Sequence, residues 1–298
     1  MKSYTEGRNL YGTLTKNTET ANLTLGDQRA NDYYRRILTA RDWPFVHRLR
    51  TATTVASTQF VNLPYDIEQV ESVYVTVSTT RYTPKLVTSR EEWDIINLNT
   101  NTTSDIPVYA YIYNGQIGLW PTPSAGGNTI SINGKIRPIN LSIADITSTT
   151  ITTLANAGTA LTVSAGLTVQ MAGFWIRPTF TTTANTGDGQ WYEISSVTNA
   201  TTATLVRGYG GQSIAVGTAA CTISQMPLLP DGFHDLPWIL AAADYWEKEL
   251  DERGALYRSQ AADSFKNLER QYGSGITDLV LDEGIGRTII NPNLTIRL

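Results

Sequence analysis

The chain has 298 residues, 41% of them apolar and 17% charged, with a formal net charge of −4. That balance argues against a dedicated DNA-binding protein, which is usually basic, and a single Cys221 excludes an internal disulfide and a multi-cysteine zinc site. No apolar run reaches the roughly twenty residues of a bilayer span, and no apolar leader opens the sequence, so a cytosol-like compartment is expected.

Residues 1–23 are polar and aperiodic apart from Leu10 and Tyr11, and read as an arm that stays loose until a neighbour holds it. Thr24 and Asp27 then have the spacing of a capping box, and Ala30, Tyr33, Tyr34, Ile37 and Leu38 recur behind them at helical intervals. Pro44 disfavours helical backbone at Trp43, so this helix is expected to end at Asp42 or Trp43. Phe60 to Pro64 reads as extended, and Val73, Val75 and Val77 alternate as one face of a strand. Ser89 and Glu92 give a second capping box ahead of Trp93, Ile95 and Ile96. Asn114-Gly115, set between two β-rich runs, is a hairpin signal because both residues tolerate positive φ. A third strand follows around Ile130, Ile132 and Ile136, completing an antiparallel meander.

From about Ile143 to Gln225 charge nearly vanishes, and Thr, Ala and Gly alternate with aliphatic residues. Strands are expected at Ile151–Leu154, Leu161–Val163, Thr168–Met171, Trp191–Val197, Thr202–Val206 and Ala219–Ile223, the spacing of a small sandwich or barrel. Asp235 is placed to cap and Pro237 to open a helix with Leu236, Ile239, Leu240, Ala243, Trp246 and Leu250 as its core stripe. A further helix, from about Arg253 to Tyr272, carries Tyr257, Ala261, Phe265, Leu268 and Tyr272 on one face, with Gly273 at its C-cap.

Residues 274–298 have no helical period and are broken by Gly284, Gly286 and Pro292, yet they hold many aliphatic side chains. Apolar residues that a segment cannot bury by itself mark an interaction site. The expected fold class is therefore α+β. N- and C-terminal helices pack with the meander into a body of residues 24–142 and 226–273. The body carries an inserted all-β sandwich or barrel at 143–225, a loose arm at 1–23 and an extended tail at 274–298.

The sequence offers no catalytic constellation. His47 and His234 are its only histidines, and neither has a partner at metal-ligand spacing. A Gly-x-Ser-x-Gly elbow is missing. Gly208-Tyr-Gly-Gly and Gly284-Ile-Gly-Arg287 lack the lysine and the strand–turn–helix setting of a phosphate loop, and read as turns. Glu247, Glu249, Asp251 and Glu252 alternate with Lys248 and Arg253 as a solvated face. No catalytic residue, cofactor or metal is expected. The basic cluster Arg35, Arg36, Arg41, His47, Arg48 and Arg50 has two readings. It meets the phosphates of passing DNA, which needs no base contact, or it pairs with acidic groups of a neighbouring subunit or portal.

One ordered set of motifs is more telling. A helix is followed by Trp43-Pro44-Phe45, by Phe60-Val61-Asn62-Leu63-Pro64 with Asp66, by Ile106-Pro107 with Tyr109, and by Gly118-Leu119-Trp120-Pro121-Thr122-Pro123. This order, from about Thr24 to Leu141 and again near Leu229, resembles the head-to-tail adaptor (connector) proteins of tailed bacteriophages. Trp43, Pro44, Phe45, Leu63, Pro64, Trp120, Pro121 and Pro123 would then be the motif core.

The resemblance implies a structural virion protein at the head–tail junction, assembled in the host cytoplasm as a dodecameric homo-oligomeric ring beneath the portal. Such a ring lengthens the channel for double-stranded DNA, without sequence specificity, and offers a platform to tail or nozzle proteins. The resemblance also implies a C-terminal arm laid onto the portal, here through Ile276, Leu279, Leu281, Ile285, Arg287, Ile289, Ile290, Leu294 and Ile296. Two alternatives stay open, a tail-tube or nozzle subunit and a glycan-binding tail component suggested by Trp175 and Trp191.

Overall fold

A computed structural model of the chain describes residues 1–64, 66–98, 102–180, 187–214 and 219–273, together with the backbone of three C-terminal strands. Helices are α1 (Tyr4–Thr15), α2 (Thr20–Thr39), α3 (Arg90–Ile96), α4 (Leu236–Lys248) and α5 (Arg253–Tyr272). Strands β1 (His47–Thr53), β2 (Phe60–Asn62), β3 (Ile67–Val77), β4 (Thr80–Tyr82), β5 (Lys85–Val87), β6 (Tyr109–Tyr113), β7 (Gln116–Trp120) and β8 (Thr129–Ile136) come first. Then follow β9 (Thr150–Leu154), β10 (Ala160–Val163), β11 (Trp175–Pro178), β12 (Tyr192–Val197), β13 (Thr202–Leu205), β14 (Ala219–Ser224), β15 (Asp278–Leu281), β16 (Arg287–Asn291) and β17 (Leu294–Arg297). The chain divides into two compact units, Met1–Trp43 with Asn140–Leu298, and Pro44–Ile139. The α+β class expected from sequence holds, and so does the β barrel within it.

The Pro44–Ile139 unit contains two four-stranded sheets, ordered β1-β8-β3-β4 and β2-β7-β6-β5. Val73, Val75, Ile130 and Ile132 from the first share one core with Ala110, Ile117 and Leu119 from the second. The expected meander is thus divided. β6 and β7 form the hairpin around Asn114 (φ 49°) and Gly115 (φ 71°), but β8 pairs with β1 and β3 in the other sheet. The Pro- and Gly-rich stretch between β7 and β8 carries the chain across. Over the second sheet α3 lays Trp93, stacked on Tyr111 at 5.3 Å and edge-on to Phe60 at 6.1 Å. Gly118 makes room for it, since a Cβ there would lie 2.7 Å from the Phe60 ring and 3.0 Å from Trp93. Ser89 caps α3 by accepting from the Glu92 amide, while the Glu92 carboxylate turns to Lys85 instead of closing the box.

In the other unit α4 is the central helix, packed by α1, α2 and α5. Leu236, Trp238, Ile239, Ala241, Ala242, Ala243 and Trp246 are all buried, because the alanines let neighbouring helices approach from several sides. Residues 1–23 are not a loose arm. Ser3 and Glu6 close a capping box, and the resulting α1 buries Tyr11 completely. Gly7 lies so close to the Trp238 indole that a Cβ would sit 2.0 Å from Nε1, and Gly26 of α2 meets the Tyr11 ring the same way at 2.3 Å.

Three sequence expectations shift here. α2 starts at Thr20 rather than Thr24, whose hydroxyl bonds back to the Thr20 carbonyl while Asp27 pairs with Arg8. Pro237 does sit in the first turn of α4, but the Asp235 carboxylate holds Lys2 Nζ at 2.7 Å instead of capping. Leu250, expected in the core stripe, lies past the end of α4 in the solvent.

Strands β9 to β14 form a closed barrel in the order β10-β13-β12-β11-β14-β9. Its separate core includes Ile151, Leu161, Ile176, Ile194, Leu205 and Ile223. Cys221 belongs to it, and burial pushes that thiol up to about 12. Val169–Met171 is a 3-10 turn, not the expected strand, and the strand missed in sequence is β11. Gly208-Tyr-Gly-Gly does more than turn the chain, because Tyr209 is buried edge-on against Tyr192 at 5.4 Å.

Candidate functional site

The described residues present no cluster of His, Cys, Asp or Glu suited to a metal ion. Geometry is most specific where the chain passes between helices and barrel. Asn31 of α2 faces the extended backbone at Leu141, its Nδ2 donating to the carbonyl and its Oδ1 accepting from the amide, at 2.9 and 2.7 Å. One amide side chain thus acts as a strand neighbour. Gln225, leaving the barrel, holds the same stretch from Asn140 to Ile143. The Tyr4 amide donates to the Gln225 carbonyl at 2.9 Å, and the Ser3 hydroxyl to Asp145 at 2.9 Å. No motif search would flag these residues, since each pairing joins positions far apart in sequence.

Beside this junction runs a groove of about 500 Å³ lined by Tyr4, Asp27, Asn31, Asp32, Arg35 and Leu141 among others. Burial raises the Asp27 carboxyl above its usual range, against the lowering influence of Tyr4 and Arg8. Burial likewise pushes Tyr4 up to about 12.

The residues of the predicted basic cluster belong to both units, Arg35, Arg36 and Arg41 to one and His47, Arg48 and Arg50 to the other. Arg35 and Arg36 lie exposed near the end of α2, Arg35 on the Asn140 side chain and Arg36 over the Tyr33 ring at 5.6 Å. Arg41 pairs with Glu269 of α5 at 2.7 Å. Arg48 is half-buried on β1, where His47 meets Glu71 at 2.7 Å. Arg50 points inward. Its Nε donates to Asp66 at 2.8 Å, with the two side chains 7% and 4% exposed. A buried pair of this kind tolerates loss of neither partner, so Arg50 and Asp66 serve the fold of their unit.

Motif-core residues are largely interior. Trp43 is fully buried, Pro121 and Pro123 are buried, and Phe45, Leu63, Pro64 and Trp120 are half-buried, while Pro44 is exposed at the start of a 3-10 turn. Among the tail residues, Ile276 and Ile285 lie outside the described residues. Leu279, Leu281, Arg287, Ile289, Ile290, Leu294 and Ile296 stand on an antiparallel sheet ordered β15-β16-β17. In its register Leu279 pairs with Ile289, and Ile289 with Ile296. Trp191, one of the two suggested sugar platforms, is buried with Arg177 stacked on its ring at 4.6 Å.

With this geometry in view, the family comparison is decisive. The family model described as SU10 adaptor protein, a phage head–tail adaptor family, matches residues 9–157, half of the chain. The chain belongs to the SU10 adaptor family. The match covers α1 from Asn9 onward, α2, the whole Pro44–Ile139 unit and the first barrel strand, and so takes in Trp43, the Asn31–Leu141 clamp and the Arg50–Asp66 pair. It makes this adaptor a structural component of a phage virion, from a family that is not an enzyme class. No curated protein matches the chain.

Proposed function

We propose that this adaptor forms a closed homo-oligomeric ring, dodecameric as the adaptor resemblance implies, between the portal vertex and the tail. The ring lengthens the DNA channel and gives tail or nozzle proteins a docking platform. The observation that carries this reading is the family match across residues 9–157. The net charge of −4 is consistent with a conduit, because a basic lining would hold passing DNA through released counterions. Rings arise from heterologous contacts whose rotation closes.

The C-terminal residues 274–298 are the portal-binding element in this reading. Their strand content supports addition to a sheet edge or a groove of the partner, with main-chain bonds supplying affinity. Arg35 and Arg36 contribute at most peripheral ion pairs to neighbours or transient contacts with DNA phosphates. Deleting residues 276–298 and mixing the shortened chain with portal-capped heads tests the assignment. Loss of portal binding with rings intact is expected. Unchanged portal binding with rings lost would instead place the tail on the adjacent subunit.

A further inference from the structure

The sequence contains two Asn-Gly steps, Asn114-Gly115 and Asn133-Gly134. Both hold the same latent chemistry. Glycine has no Cβ to shield its backbone nitrogen, so that nitrogen can attack the carboxamide carbon of the preceding asparagine. A bond forms between the Gly nitrogen and the Asn Cγ. The side-chain nitrogen leaves as ammonia, carrying the proton that the backbone nitrogen gives up, and a succinimide ring remains. Water then opens the ring at either carbonyl, giving aspartate or isoaspartate. Water is the sole co-reactant, and nothing is oxidised or reduced.

The fold places the two steps in opposite settings. Asn133 lies in β8 between two strands, paired with Leu49 of β1 and Ser72 of β3. Its Nδ2 donates to the Ser72 hydroxyl at 3.0 Å. Gly134 is clamped beside it, since a Cβ there would sit 2.3 Å from the Gln69 carbonyl oxygen. Turning the Gly134 amide toward the Asn133 side chain would break ladder bonds to neighbouring strands, so the reaction must wait for the sheet to open.

Asn114 has no such restraint. It and Gly115 lie beyond Tyr113 and Gln116, the last pair of the β6–β7 ladder, and both are exposed. Their φ values of 49° and 71° mark a tight two-residue turn. A Cβ on Gly115 would meet nothing within 4 Å among the described residues, so the space around the attacking nitrogen is open. The Gly115 carbonyl accepts from the Leu63 amide at 2.9 Å, a bond that holds the far side of the residue and not its amide.

We propose that Asn114 is a modification site of this adaptor, converting spontaneously to aspartate and isoaspartate, while its sheet protects Asn133. Either product puts a negative charge at the tip of the hairpin. Isoaspartate also adds a carbon to the backbone of the turn. A two-residue turn fits its strands through its own backbone twist, so the isoaspartyl form loosens the β6–β7 hairpin and the Leu63–Gly115 bond beside it.

The test holds the full chain in warm, mildly alkaline buffer, folded in one series and unfolded by guanidinium in the other. Peptide mass spectrometry reads the exchange of the side-chain amide for a carboxyl at each asparagine, and chromatography separates the isoaspartyl form. Relative to the unfolded series, folding is expected to slow Asn133 at least about 10-fold more than Asn114. A smaller difference, or Asn133 converting before Asn114 in the folded chain, would overturn the proposal. An Asn114 that stays intact in the folded chain after it has been consumed in the unfolded one would overturn it as well, by showing that the turn itself protects.

Discussion

Gln225 grips the backbone around Asn140: its Nε2 donates to the Asn140 carbonyl at 2.6 Å while its Oε1 accepts from the Ser142 and Ile143 amides at 2.8 and 3.1 Å. The side chain is almost fully buried, while Asn140, Ser142 and Ile143 are themselves exposed. Net of the water it displaces, a hydrogen bond of this kind contributes about 0.5–1.5 kcal/mol. Gln225→Ala is therefore expected to destabilise the chain by that amount in urea unfolding. A change below about 0.5 kcal/mol would mean that solvent replaces the lost bonds.

Trp43 closes the helical unit at its boundary. It is fully buried, its Nε1 donates to the Ile37 carbonyl at 2.7 Å, and its ring meets Phe265 of α5 edge-on at 6.2 Å. Trp43→Ala is expected to cost about 3–5 kcal/mol, the range for removing a large buried aromatic. Phe265→Leu should cost less, since it keeps apolar volume at the contact. Equal and small losses for the two would place Trp43 outside the core.

Gly7 and Gly26 are required by close approach. A methyl group at either would enter a neighbouring aromatic ring, Trp238 for Gly7 and Tyr11 for Gly26. Alanine normally favours a helix, but overpacking of a tight core costs about 1–3 kcal/mol. Both substitutions should lower the melting temperature despite better helix propensity. A rise would show that the rings move aside.

These elements divide by whether their signals were local. The Asn114-Gly115 hairpin, Pro237 in the first turn of α4 and most barrel strands were legible because turn chemistry and β-alternation act over a few residues. The α1 signal was present too, since Ser3 and Glu6 have capping-box spacing, but the polar run around them obscured it. Arg50 could not be assigned from sequence, because its burial depends on Asp66 reaching it across the fold. Asn31 and Gln225 were silent for the same reason. Leu250 misled because helical spacing continues through it, whereas the chain stops α4 at Lys248.

His234 ties residue 2 to the start of α4. It is 2% exposed, with Nε2 at 2.8 Å from the Leu229 carbonyl, so that nitrogen donates. Nδ1 lies 3.1 Å from the Lys2 amide and 3.0 Å from the Lys2 carbonyl. Burial lowers its pKa from the ordinary 6.5, helped by the amino terminus of Met1 and opposed by the backbone bonds to Lys2 and Leu229 and by Asp231. The folded chain thus binds this proton less readily than the unfolded chain. The stabilisation is complete above pH 6.5 and is lost as pH falls through 6.5 toward the lower folded value. Wild type should exceed His234→Gln in melting temperature near pH 8 by more than near about pH 5. A gap that widens on acidification would reverse the assignment.

Cryo-electron microscopy of the intact virion, with this chain traced in the density, tests the central claim most directly. The adaptor reading predicts a closed ring of copies around the DNA channel between portal and tail, residues 274–298 lying on the portal. Density for the chain in a distal tail tube, a nozzle or a peripheral fibre, with none at the portal, would contradict it.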